Sequence, residues 1–191
     1  MAEQLAEYLV SGDDFLQWES AQEFKYELIA NRIYPMTGAS RPHNLITAKL
    51  IALLIHCLQA ADCEVYPSDM RVQVDSSGTY TYPDVVIVCG EPRFRPYTTQ
   101  DTLLNPALLI EVLSPSTELI DRNQKRRQYL QIPSLIGYML VAQNMPLIQA
   151  HLRVDNDWRY RAWQGLDSTA VIEALGCELP LRDIYRKVGM E

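Results

Sequence analysis

The chain has 191 residues, 48% hydrophobic and 21% charged, with 17 Lys and Arg against 24 Asp and Glu. That composition excludes collagen-like, low-complexity and wholly disordered chains, and this length buries enough surface to fold without a metal or disulfide staple. A formal charge of -7 argues against a whole-surface attraction to nucleic acid or anionic lipid, so a polyanion would be met locally or through a metal.

Cys57, Cys63, Cys89 and Cys177 form no C-x-x-C pair and have no histidines at zinc spacing. Reduced thiols in a cytoplasmic protein are the expectation. The first residues carry acids where a secretory leader needs positive charge. The tract LITAKLIALLIHCL, broken by Lys49 and His56, is too short and polar to span a bilayer. With no repeat and no linker, a single domain over 1–191 is expected.

Residues 4–19 suggest a short helix, with Leu5, Tyr8, Leu9, Phe15, Leu16 and Trp18 on its apolar face. FKYELIANRIYPMTG reads as two strands about Ala30-Asn31, since Asn tolerates the positive φ of a tight turn. Ser40 is placed to cap a helix over 42–60, and Pro42 suits its first turn. CEVYP and MRVQV follow as short strands, and PDVVIV and ALLIEVLS as strands covered on both faces. A helix is expected at about 119–131, then the covered strand LIGYMLV, a hairpin about Asn156 and a short closing helix in PLRDIYRKV. The sum is α+β, with a central mixed sheet flanked by helices.

No phosphate-cradling glycine loop, H-E-x-x-H or G-x-S-x-G motif is present. What stands out is acids inside apolar strands. Asp84 opens Pro83–Val88, and Glu111 interrupts Leu108–Leu113. A carboxylate in a covered strand is costly unless a cation pairs with it, and two on neighbouring strands could share one divalent metal. The alternatives are a turn residue at Asp84 and an arginine partner for Glu111. Glu27, within YELI, is a third such acid. Beyond Glu111, Asp121, Lys125 and Tyr129 share a helix face, and Arg122, Arg126 and Arg127 join Lys125 in the densest positive cluster of the chain. That cluster reads either as a solvated face or as cations for a phosphodiester.

The strings PDVVIV, CGEPRF and LLIEVLSPSTELIDRNQKRRQYLQIPSLIGYMLV, with YELIANRIYPMTGASRPHN and VYPSDMRVQV, resemble the Uma family, bacterial proteins assigned as restriction endonucleases by likeness. The resemblance runs from about Glu23 to the closing helix. It implies a restriction-endonuclease-like core with a PD-(D/E)XK site at the sheet centre, Mg²⁺ (or Mn²⁺) as cofactor and DNA as partner. On that likeness Asp84 and Glu111 are catalytic metal ligands. Leu113 stands where the usual lysine would be, and Lys125 takes its place from the next helix. Glu27 matches the family's acid in the first hairpin, and His43, after GASRP, is a site-lining candidate with Asp121 and Tyr129. Arg122, Arg126 and Arg127 are the candidate DNA contacts, and a homodimer would address two strands. The alternative is a catalytically reduced member of the fold acting as a binding or regulatory module.

Overall fold

The computed structural model describes residues 12–74, 78–96 and 100–189, so the expectations on Leu5, Tyr8 and Leu9 lie outside it. In chain order the elements are α1 (Gly12–Glu19), β1 (Tyr26–Ile29), β2 (Arg32–Pro35), α2 (Arg41–Leu58), β3 (Cys63–Pro67) and β4 (Arg71–Val74). Then come β5 (Thr79–Thr81), β6 (Val85–Cys89), β7 (Thr102–Leu103) and β8 (Leu108–Leu113). A helical segment follows, built from α3 (Glu118–Ile120), a π turn (Asp121–Lys125) and α4 (Arg126–Tyr129). The chain closes with β9 (Gly137–Ala142), β10 (Leu147–Val154), β11 (Asp157–Gln164), β12 (Thr169–Ile172), β13 (Cys177–Pro180) and α5 (Leu181–Tyr185).

The doubly apolar runs become the middle of a six-stranded sheet of order β11-β10-β9-β8-β6-β3. Its β8–β9 pair is parallel and its other pairs are antiparallel. A parallel pair needs a crossover connection, and the helical segment supplies it. A second sheet, β2-β1-β5-β4-β7, stands against one face of the first. There Val86, Val88, Leu109, Leu113 and Leu140 meet Val72, Val74, Leu103 and Tyr129. On the opposite face Val85, Ile87, Ile110, Val112 and Met139 pack under Ile46, Leu50, Leu54 and Leu58 of α2. The period-2 alternation along each strand therefore separates two cores, one on either side of the sheet.

Local chemistry sets the punctuation. Ala30 and Asn31 have φ of 49° and 64°, and Asp155 and Asn156 have 50° and 67°, the paired positive values of a two-residue hairpin turn. The Ser40 hydroxyl accepts the His43 N–H at 3.2 Å and caps α2, which ends at Leu58. α5 stops after five residues, where Arg186 turns extended and Lys187 takes φ 62°. The β12–β13 hairpin, whose strands are too short to show a period, went unread in the sequence. No helix among the described residues is long and apolar enough to cross a membrane.

The cysteines depart from expectation. Cys57 bonds Cys177, tying α2 to β13, and Cys63 bonds Cys89 across the antiparallel β3–β6 pair. Spacing along the chain concealed both pairs, since the folded register, and not sequence proximity, brings the sulfurs together. Non-reducing denaturation followed by thiol titration is expected to detect no free thiol. Reduction is expected to lower stability by about 3–5 kcal/mol in chemical denaturation, chiefly through the 120-residue separation that Cys57–Cys177 closes.

Gly137 is the register partner of both Leu108 and Leu152, and a Cβ there would come within 2.5 Å and 3.0 Å of their methyl carbons. Gly137→Ala is expected to cost roughly 1–3 kcal/mol in urea denaturation, because the neighbouring leucines must shift in a filled core.

Candidate functional site

The site begins with register. In the β6–β8 pair Val85 faces Ile110 and Val86 faces Leu109, so one step further along Asp84 comes opposite Glu111. Opposed residues share a face. Glu111 thus joins Leu109 and Leu113 on the side away from α2. Asp84 Oδ2 accepts the Val112 N–H at 2.7 Å and lies 3.2 Å from His43 Nε2, at the N-terminal end of α2.

The helical segment delivers the cation. Over eight residues an α-helix drifts about 80°, which would pull Asp121, Lys125 and Tyr129 out of line. The wider π turn takes back most of that drift, and all three side chains are buried. Lys125 Nζ reaches Glu27 Oε1 at 2.9 Å, Glu111 Oε1 at 3.1 Å and Asp121 Oδ1 at 3.4 Å. Glu27 Oε1 also accepts the Tyr82 N–H at 2.8 Å. The Tyr129 hydroxyl lies 3.0 Å from Glu111 Oε1 and 2.9 Å from Thr81 Oγ1. Its single proton goes to the carboxylate, and Thr81 donates to it in turn. Tyr138 donates to the Asp121 carbonyl at 3.0 Å, which anchors the π turn to β9.

Charge does not balance here. Burial pushes the Glu111 carboxyl well above the usual carboxylate range, and raises Glu27 and Asp121 in the same direction. Burial alone would lower Lys125, but Glu111 and then Glu27 outweigh it and hold the ammonium well above its ordinary value. Lys125 therefore stays charged. His43 is raised overall: burial works against its charged form, and the hydrogen bond and charge of Asp84 overcome that. Burial, then the charge of Glu111, pushes Tyr129 well up, so it remains a neutral donor.

Asp84 and Glu111 suit a hard divalent cation. The hydrogen bonds each accepts fall on one oxygen, Oδ2 of Asp84 and Oε1 of Glu111, leaving the other oxygen for an ion. Mg²⁺ commonly takes one or two carboxylates and fills its remaining positions with water and phosphate oxygens. Among the described residues no three His, Cys, Asp or Glu side chains form a metal-holding group, so a ligand set made of protein alone is absent there. Asp121 Oδ1 is buried with the long Lys125 contact and no hydrogen bond.

Of the residues singled out in the sequence, Asp84, Glu111, Glu27, Lys125, Asp121, Tyr129 and His43 converge. The arginines do not. Arg122 bonds Glu118 at 2.7 Å and Gln149 of β10 at 2.6 Å, and Arg126 acts electrostatically on His151 of the same strand. Both lie along β10, two strands from β8, and Arg127 is exposed. Arg71 is buried elsewhere, bonded to Glu19, Thr102 and the Gln100 carbonyl. Thr81 and the Tyr82 amide were missed. The run Thr79-Tyr-Thr-Tyr just before Pro83-Asp84 was the available signal, since it brings β5 to the same place as Asp84.

The Uma2 family model, described as "Putative restriction endonuclease", matches residues 13–182. Two uncharacterized Synechocystis sp. (strain PCC 6803) proteins are similar. The protein slr1290 is 37% identical over 178 residues, covering 93% of this chain and 92% of its own. The protein sll1609 is 36% identical over 151 residues, covering 78% and 85%. Among solved structures, a "putative nuclease belonging to DUF820" from Anabaena variabilis superposes with a TM-score of 0.78 over 94% of this chain and 99% of that one. At 13% identity that likeness speaks for the shared α+β, restriction-endonuclease-like fold alone. The family match takes in every element from α1 through the start of α5, and the chain belongs to the Uma2 family.

Proposed function

We propose that this protein is a Mg²⁺- or Mn²⁺-dependent endonuclease that hydrolyses phosphodiester bonds in DNA, acting as a homodimer. The observation that carries the reading is the opposed pair Asp84 and Glu111 with a buried, charged Lys125 at 3.1 Å from the second. The family's description as a restriction endonuclease supports the same class of chemistry. Asp84 and Glu111 would hold the ion. Bound there, a divalent cation lowers the pKa of a coordinated water and offsets charge on a phosphate.

The chain's own groups do the rest. Lys125 stays protonated, so it acts as an electrostatic partner for the phosphate rather than as a base. Glu27, fixed by the Tyr82 amide, holds that ammonium in place, and Tyr129 holds Glu111. Arg127 is free to meet the DNA backbone near the helix. Arg122 and Arg126 would contact it only further out, along β10. Such contacts set position without reading sequence.

One observation favours a second reading, a binding or regulatory module. The ammonium of Lys125 has three protons and three carboxylate neighbours, so a phosphate must displace one of them.

Calorimetric titration with Mn²⁺ is expected to show binding to the native protein and none to Asp84→Asn or Glu111→Gln. Unchanged affinity in both variants would remove the pair as ligands. In a plasmid-nicking assay with Mg²⁺ or Mn²⁺, Lys125→Ala is expected to lose cleavage by about 100-fold or more while keeping most of its metal affinity. Equal nicking by both proteins would take Lys125 out of the chemistry, and metal binding without nicking by either would establish the module reading.

A further inference from the structure

We infer that His43 is a positioning residue: its Nε2–H fixes the Asp84 carboxylate so that one oxygen is presented to the divalent cation. The inference rests on the metal-dependent reading above and extends it to a residue outside the carboxylate–lysine set.

The geometry is specific. Nε2 lies 3.2 Å from Asp84 Oδ2, the same oxygen that takes the Val112 N–H at 2.7 Å. Two donors on one oxygen define the plane of a carboxylate and leave Oδ1 as its free acceptor. Carboxylates that ligate metals are commonly oriented by such partners. The side chains of His43 and Asp84 are 13% and 16% exposed, against 5% for Glu111 and 6% for Lys125, so they stand at the open end of the cluster.

The placement is also costly for a merely structural residue. His43 lies in the first turn of α2, where the helix dipole disfavours a cation. Its Nδ1 is buried with no hydrogen-bond partner. An unbonded buried ring nitrogen is better tolerated as a bare lone pair than as an N–H, so the proton belongs on Nε2, facing Asp84. Asp84 is the side chain hydrogen-bonded to this ring, with the Val112 backbone and the charge of Asp121 also acting on it, and the backbone on either side is held independently, by the Ser40 cap and by Ile46 in the core.

Reach separates a donor from a spacer. The Gln amide nitrogen extends about as far from the backbone as Nε2, whereas the Asn amide stops where Nδ1 does. Calorimetric titration with Mn²⁺ is expected to give His43→Asn an affinity about tenfold or more below that of the native protein, with His43→Gln within about threefold. Thermal melting is expected to be unchanged in both, which separates positioning from folding. Without metal, the ¹⁵N shifts of the His43 ring are expected to report the Nε2–H form. Native affinity in both variants, equal loss in both, or a ring protonated on Nδ1 alone would overturn the role of His43. If the native protein itself binds no Mn²⁺, the metal reading falls and takes this inference with it, an outcome distinct from native binding that the variants leave untouched.

Discussion

One ammonium group stands where parts of the fold that share no hydrogen-bond ladder meet. Lys125 meets Glu27 from the five-stranded sheet, Glu111 from the six-stranded sheet and Asp121 from the crossover between β8 and β9. The Thr81–Tyr129–Glu111 chain spans the same seam a few ångströms away. Burying such groups brings no assured stability. Replacing a buried ion pair by apolar residues is often neutral or favourable, whereas removing one partner costs about 3–5 kcal/mol. Three acids to one base is a poor arrangement for holding two sheets together. It is a good one for a site that gains a second cation, because the surplus negative charge is then neutralised where the sheets meet.

Helix α2 couples this seam to the opposite core. Its Ile46, Leu50, Leu54 and Leu58 stripe packs on the far face of the six-stranded sheet, its N-terminal turn carries His43 to Asp84, and its last turn is bonded through Cys57 to β13. One rigid element is therefore located by apolar burial, by a cap and by a covalent bond, and the imidazole position follows from all three. The imidazole beside Asp84 at the open end of the cluster is thus supported by a helix held at both ends.

Much of this was legible in the sequence because cost leaves a mark. An acid in a strand covered on both faces is conspicuous, which is why Asp84 and Glu111 could be paired in advance and Glu27 set beside them. The i, i+4 spacing of Asp121, Lys125 and Tyr129 gave their common face, but not the π turn that keeps it straight over two turns. Helical spacing also cannot say which neighbouring strand a side chain overlies, so the positive cluster of Lys125, Arg122 and Arg126 divides, with the two arginines along β10. The role of the Tyr82 amide is carried by backbone, so its only trace in the sequence is its place in the short run just before Asp84. The cysteine pairs were hidden for a related reason, since a separation of 26 or 120 positions acquires meaning only once strand register is known.

That register also governs how the chain can vary in length. Asp84 and Glu111 face each other because β6 and β8 pair in one alignment, and successive strand residues point to opposite faces. The described residues 90–96 and 100–107 lie between those strands and carry only the two-residue β7, so insertions there need not disturb the pair. A single residue added inside β6 would separate Asp84 from Val112, and one added to β8 before Glu111 would turn that carboxylate toward the apolar stripe of α2. Length can thus vary in the loop, while the strand residues between it and the two acids admit changes of identity but not of number.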